Sequence, residues 1–272
     1  MKLKNLIFAV TVLFTALLIT IISYFAAFAI TVLIGDVNVS KPGTATVDQG
    51  VFNLIRYSLS LIVFSKWFKV VTEGSFFTDK TKRALKFTCH PVSLLIIILL
   101  GFSIQICTDG VLYILSKVFV KSFSSYNSMI AEFSGSTSFL FIFTAVIMAP
   151  VVEELVFRGL TLHYAKQSFN LILANIIQAL LFGLYHGNLI QGIYAFIFGL
   201  LLGFIAIKTD SLITGILLHM VINGSLYIVP KALFTDISRA ALIALIAFAV
   251  LAMSYALIFI IFDKYVSRKP SE

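Results

Sequence analysis

The chain has 272 residues, of which 60% are hydrophobic and only 12% charged, with a mean hydropathy of +1.05. A soluble domain is roughly 45–50% apolar and about 25% charged, so this composition excludes a water-soluble globule, a disordered chain and a disulfide scaffold. The net charge of +8 is read as loop asymmetry that orients a membrane protein, not as a nucleic-acid surface.

Apolar runs long enough to cross a bilayer, about 20 residues each, give the elements in chain order. The first run covers 6–34. Ala27, Phe28 and Ala29 look like a small-residue cleavage site, but the preceding run exceeds the roughly 7–15 residues of a signal-peptide core, so the span is read as retained. A polar stretch with a turn signal at Lys41, Pro42 and Gly43 follows. The second span is 51–71, and a basic segment leads to Pro91 and the third, 91–117. Asp109 and Gly110 interrupt that span and predict a break or kink. The Ser-rich segment 117–138 reads as a loop or an interfacial helix. Five more spans follow at 138–162, 171–187, 189–207, 212–229 and 240–262. The expectation is an all-α, polytopic membrane protein of about eight transmembrane helices, one membrane domain over 1–272.

Of the 20 Lys and Arg, Lys41, Lys117, Lys121, Lys231 and Arg239 fall on one side, and Arg56 lies within a span. The others fall on the side of both termini, which the charge rule makes cytoplasmic. The expected location is the cell membrane. Cys89 and Cys107, outside any CxxC pair, read as free thiols.

Polar and ionisable groups inside apolar runs are costly and carry function more often than packing. Three clusters stand out. In the first, Glu154 and Arg158 are spaced i,i+4 and meet on one helix face, while Glu153 lies about 100° round the helix. One reading lets both glutamates serve Arg158; the sharper one makes Glu154–Arg158 scaffold and turns Glu153 into a cavity as a titratable group. In the second, Phe182 and His186 share a face, with Gly183 and Gly187 permitting close helix approach. In the third, His219 and Asn223 project together, as catalytic groups or as interhelical hydrogen-bonding glue. The other histidines, His90 and His163, read as incidental.

A carboxylate, two imidazoles and an amide on three helices suit hydrolysis, with a base to activate water and donors for an oxyanion. At 1.5 Å per residue, Glu153 lies roughly 18 Å, His186 roughly 24 Å and His219 roughly 14 Å from the same membrane side. Those depths are compatible, with His186 the outlier.

The motifs Glu153-Glu154-x-x-x-Arg158, Phe182-x-x-x-His186 and His219-x-x-x-Asn223, in that order on successive spans, resemble the CAAX prenyl endopeptidase and bacteriocin-processing family, CPBP or Abi. The resemblance covers about 139–229, which makes that stretch the expected catalytic core; the spans within 1–138 and 240–262 support it. It implies an intramembrane endopeptidase in which Glu153 activates water, assisted by His186. His219 and Asn223 would form the oxyanion hole, supported by Glu154, Arg158 and Phe182. No cofactor is expected; the alternative is zinc on Glu153, His186 and His219. The expected partners are the lipid bilayer and a peptide or membrane-protein substrate entering from it, CAAX-like, leader or pheromone, and no nucleic acid. Oligomeric state is not legible. Two other functions fit the same polar residues: a non-catalytic self-immunity or partner-binding protein, and a proton-coupled transporter. The lack of an inverted repeat counts against transport.

Overall fold

The computed structural model describes residues 2–34, 47–72, 79–135, 138–230 and 232–263. The predicted turn at Lys41, Pro42 and Gly43 lies outside them. Every regular element among the described residues is helical. The helices are α1 (Lys2–Ile34), α2 (Gln49–Val71), α3 (Asp79–Thr88), α4 (Pro91–Val118), α5 (Val120–Gly135), α6 (Phe139–Lys166), α7 (Leu171–Tyr185), α8 (Leu189–Thr209), α9 (Ile213–Ser225), α10 (Ala232–Thr235) and α11 (Arg239–Phe262).

A helix stands at each predicted span. Five, α1, α4, α6, α8 and α11, are long and apolar enough to cross a membrane. The two shorter apolar helices, α7 and α9, reach only about 20 Å, less than a hydrocarbon core of about 30 Å. Helix α2 has the length, but Asn53, Arg56 and Lys66 dilute its apolar run. The segment 117–138 is the helix α5, which buries Phe123 and Tyr126 and exposes its serines at 122, 124 and 125. Large apolar side chains face outward, such as Phe14 at 65% and Phe248 at 68% exposure, as a surface solvated by lipid requires.

The chain forms two compact units. The first comprises residues 1–74 and 136–181 and contains α1, α2, α6 and most of α7. Asp48 caps α2 by accepting from the Val51 amide at 2.8 Å, satisfying one of the free donors at a helix start. A Cβ at Gly50 would meet Leu140 at 3.4 Å, and one at Gly159 would meet Phe68 at 3.1 Å. Helices α2 and α6 therefore run side by side and parallel. Their far end is tied by Trp67 Nε1 donating to the Tyr164 hydroxyl at 2.8 Å, Phe8 stacked on Tyr164, and Asn5 donating to Ser168 at 3.1 Å.

The second unit comprises residues 75–135 and 182–272. Its core gathers Ile97, Leu100 and Ile104 of α4 with Leu202 and Ile205 of α8, Leu218 and Ile222 of α9, and Ala256 and Ile260 of α11. Helix α4 is continuous through Asp109 and Gly110, so the predicted break does not occur. Gly110 is there because Ile246 of α11 lies where a Cβ would sit, at 2.8 Å. Asp109 is accommodated by accepting from Gln105 Nε2 at 2.8 Å. Thr88 and Thr214 share a hydrogen bond of 2.8 Å that ties α3 to α9. Cys89 and Cys107 are free thiols.

Candidate active site

Helix α6 is not uniformly α-helical. Two π-helical stretches, Thr144–Met148 and Glu154–Thr161, flank the α-helical turn Ala149–Glu153. Proline lacks an N–H and its ring clashes with the carbonyl four residues back. Opening the turn before Pro150 relieves that clash, and the Ala149 amide reaches back to the Thr144 carbonyl. In the second stretch the Leu162 amide bonds the Phe157 carbonyl, and Thr161 Oγ1 bonds the Val156 carbonyl at 2.9 Å. Both span five residues. Such wide turns are rare and cluster at functional sites.

The acidic motif sits at the junction of these turns. Arg158 Nη1 donates to Glu154 Oε1 at 2.8 Å, with both side chains fully buried. The i,i+4 pairing expected for an α-helix thus survives in the wider helix. Both glutamates attract the Arg158 charge, Glu154 more strongly. Glu153, the last residue of the α turn, keeps 7% of its surface exposed, whereas Glu154 keeps none.

The imidazole groups belong to the second unit. Helix α7 ends at Tyr185, so His186 lies just beyond the helix instead of inside the span. Its Nδ1 bonds the Phe182 carbonyl at 2.8 Å. A carbonyl only accepts, so Nδ1 carries a proton in this contact and Nε2 is the ring nitrogen turned away from it. The chain turns away at Gly187, whose φ of +67° lies in the left-handed region that suits glycine. A Cβ there would meet nothing, so Gly187 is a conformational glycine and not, as expected, a close-approach one.

Gly183 does serve close approach. A Cβ on it would lie 2.7 Å from the Gly192 carbonyl oxygen and 3.2 Å from Phe196 Cβ. Gly183→Ala should therefore force α7 and α8 apart and cost about 1–3 kcal/mol, the range for overpacking a tight interface, read as a lowered melting midpoint in detergent.

Phe182 is 2% exposed. It packs edge-to-face against His186 at 4.8 Å and against His219 of α9 at 5.9 Å, both at 88°. One aromatic ring therefore orients both imidazoles. His219 is buried at 6% exposure, and Asn223 is half-buried one turn further along α9. The structure thus brings together Glu154 with Arg158, and Phe182 with His186 and His219; Glu153 lies beside the first group and Asn223 on the helix of the second. His163 contacts Gln167 at 2.7 Å, and His90 is exposed at the start of α4.

The second unit holds a polar set that the sequence flagged only through Asp109. Tyr126 of α5 meets Tyr194 of α8 edge-on at 6.1 Å, and Asp109 acts on both phenols. Burial and these neighbours push the Tyr126 phenol above its usual range.

Among the described residues, neither unit gathers a trio of His, Cys, Asp or Glu that could hold a metal ion. The His pair against Phe182 could supply two nitrogen ligands, one short of the three protein ligands of a catalytic zinc.

A family model matches residues 135–225: type II CAAX prenyl endopeptidase, Rce1-like. The matched stretch contains every residue of the three motifs. No curated protein and no solved structure matches the chain.

Proposed function

The Rce1-like segment makes the chain a member of the CPBP family, a family of peptide hydrolases, and from that premise we propose an intramembrane endopeptidase that cleaves membrane-associated peptides with Glu153 as the base. The observation that carries this reading is a pair of adjacent buried glutamates of which one, Glu154, is committed to Arg158 at 2.8 Å. We assign Glu154 to the scaffold on the strength of that bond and Glu153 to the chemistry.

In the proposed reaction Glu153 removes a proton from water as the water oxygen attacks the scissile carbonyl. His186 Nε2, the ring nitrogen turned away from Phe182, accepts the second water hydrogen and orients the nucleophile. His219 and Asn223 donate to the oxyanion that forms on the former carbonyl. The C–N bond then breaks, and the proton held by Glu153 passes to the departing amine. Phe182 maintains both imidazoles, and the Glu154–Arg158 pair holds the turn that presents Glu153. Substrates of this mechanism are CAAX-like C-terminal peptides, leaders or pheromones that enter from lipid. The protein would lie in the cell membrane with both termini on the cytoplasmic side, as its Lys and Arg distribution supports.

The test is comparative peptidomics of membranes carrying the wild-type protein or Glu153→Gln. Peptides that appear with the wild type alone are the expected outcome. Identical peptide pools would instead favour a non-catalytic binding role. We further propose that hydrolysis is metal-free. Cleavage should survive exhaustive chelation unchanged, and loss of activity restored by zinc would reverse that assignment.

A further inference from the structure

We propose that Tyr227 is a substrate-binding residue whose hydroxyl donates to a backbone carbonyl of the peptide two residues from the scissile one, and this rests on the endopeptidase reading. Tyr227 continues the row that His219 and Asn223 begin, at successive steps of four residues along α9 and the turn beyond it. All three belong to the second unit. Tyr227 is half-buried, yet its hydroxyl oxygen is buried and has no hydrogen-bond partner among the described residues. A tyrosine at the end of a membrane helix usually turns its hydroxyl out to the wet interface. Here the phenol turns inward, and a buried hydroxyl without a partner is costly.

Other buried hydroxyls of the same unit are satisfied within the fold. Ser225 donates to the Ile222 carbonyl at 2.7 Å, and Thr88 and Thr214 share their bond of 2.8 Å. Among the described residues of that unit, Tyr227 Oη is the exception. The backbone that carries it is closed. The Tyr227 amide bonds the Gly224 carbonyl at 3.1 Å, and the Ile228 and Val229 amides bond the Ser225 carbonyl at 3.0 and 2.8 Å. A side chain on a helix covers the turn N-terminal to its own Cα, which for Tyr227 is the turn of Asn223. A donor set in place by such a turn leaves little ordering for a ligand to impose.

The spacing selects the ligand atom. The rise is about 1.5 Å per residue in an α-helix and about 2.0 Å in a turn closed by bonds three residues apart, such as the one at Tyr227. Asn223 and Tyr227 therefore stand roughly 6–7 Å apart along the axis. In an extended peptide every second carbonyl faces the same way, and two residues span roughly 6.6–7.2 Å. A peptide laid along α9 with its scissile carbonyl at Asn223 presents to Tyr227 the carbonyl two residues away. Every peptide carries a backbone acceptor there, so the contact grips the chain without selecting its side chains.

The experiment uses the full-length protein reconstituted in vesicles, a peptide that it cleaves, and two analogues of that peptide. In each analogue the carbonyl oxygen two residues from the scissile carbonyl, on the N-terminal or the C-terminal side, is replaced by sulfur, a poorer acceptor. Wild-type protein should cleave one analogue about 3- to 10-fold less efficiently than the parent in kcat/KM, the usual contribution of a neutral hydrogen bond. Tyr227→Phe removes the hydroxyl alone. It should lower kcat/KM for the parent by a similar factor, mainly through KM, and bring parent and analogue together. Its melting midpoint should equal or exceed that of the wild type, because no bond within the fold is lost. A purely structural hydroxyl would instead lower the midpoint and leave the ratio of parent to analogue as it is in the wild type. Either of those results overturns the proposal, as does a wild type that cleaves both analogues as well as the parent, and each leaves the endopeptidase reading intact. If the wild type cleaves no peptide at all, the endopeptidase reading fails and the assignment of Tyr227 falls with it.

Discussion

Arg158→Met should destabilise the protein by about 3–5 kcal/mol, the cost of leaving one member of a buried ion pair without its partner. The carboxylate of Glu154 is fully buried and accepts from Arg158 at 2.8 Å. Without the guanidinium it must either remain charged in surroundings that cannot solvate it or take up a proton. The double variant Glu154→Gln with Arg158→Met removes both charges and should recover most of the loss, because a neutral pair of similar volume escapes the desolvation penalty. Melting curves in detergent for the wild type, both single variants and the double variant close a thermodynamic cycle. A double variant as unstable as the sum of its single changes would show that the pair is not the unit that holds this turn.

That pair was legible in the sequence, because i,i+4 spacing makes neighbours in any helix near the α form. The eight helical segments were legible too, since apolar runs bounded by charged loops leave few alternatives. What escaped reading depends on close approach and backbone conformation. The dipeptide Asp109-Gly110 looks like a breaker, but the space at Gly110 is needed for Ile246 across the helix interface, and no local pattern records that. Gly183 and Gly187 look alike at four-residue spacing. One admits a neighbouring carbonyl and the other takes a positive φ. The π turns of α6 are marked only by Pro150, which announces a disturbance without its form. They also mean that the 100° step used to separate Glu153 from Glu154 holds only up to the junction where π geometry begins. Burial makes the same distinction independently.

The largest expected effect on catalysis follows from that distinction. Glu153→Gln should reduce kcat by about 10²–10⁴-fold, the usual contribution of a positioned general base, with KM little changed because the amide keeps the size of the side chain. Its melting midpoint should stay near that of the wild type, since Glu153 retains some exposure and does not supply the 2.8 Å bond to Arg158. Glu154→Gln should behave in the opposite way. It removes the carboxylate that accepts from Arg158 at 2.8 Å, so stability falls first and turnover falls only as the folded fraction does. The two substitutions change neighbouring residues by the same atoms, which makes them mutual controls. Measured under conditions where both variants are folded, a loss of turnover confined to Glu153→Gln identifies the base. Equal losses in both would mean that the two carboxylates act as one unit, and Glu154 would then have to be moved from the scaffold into the reacting group.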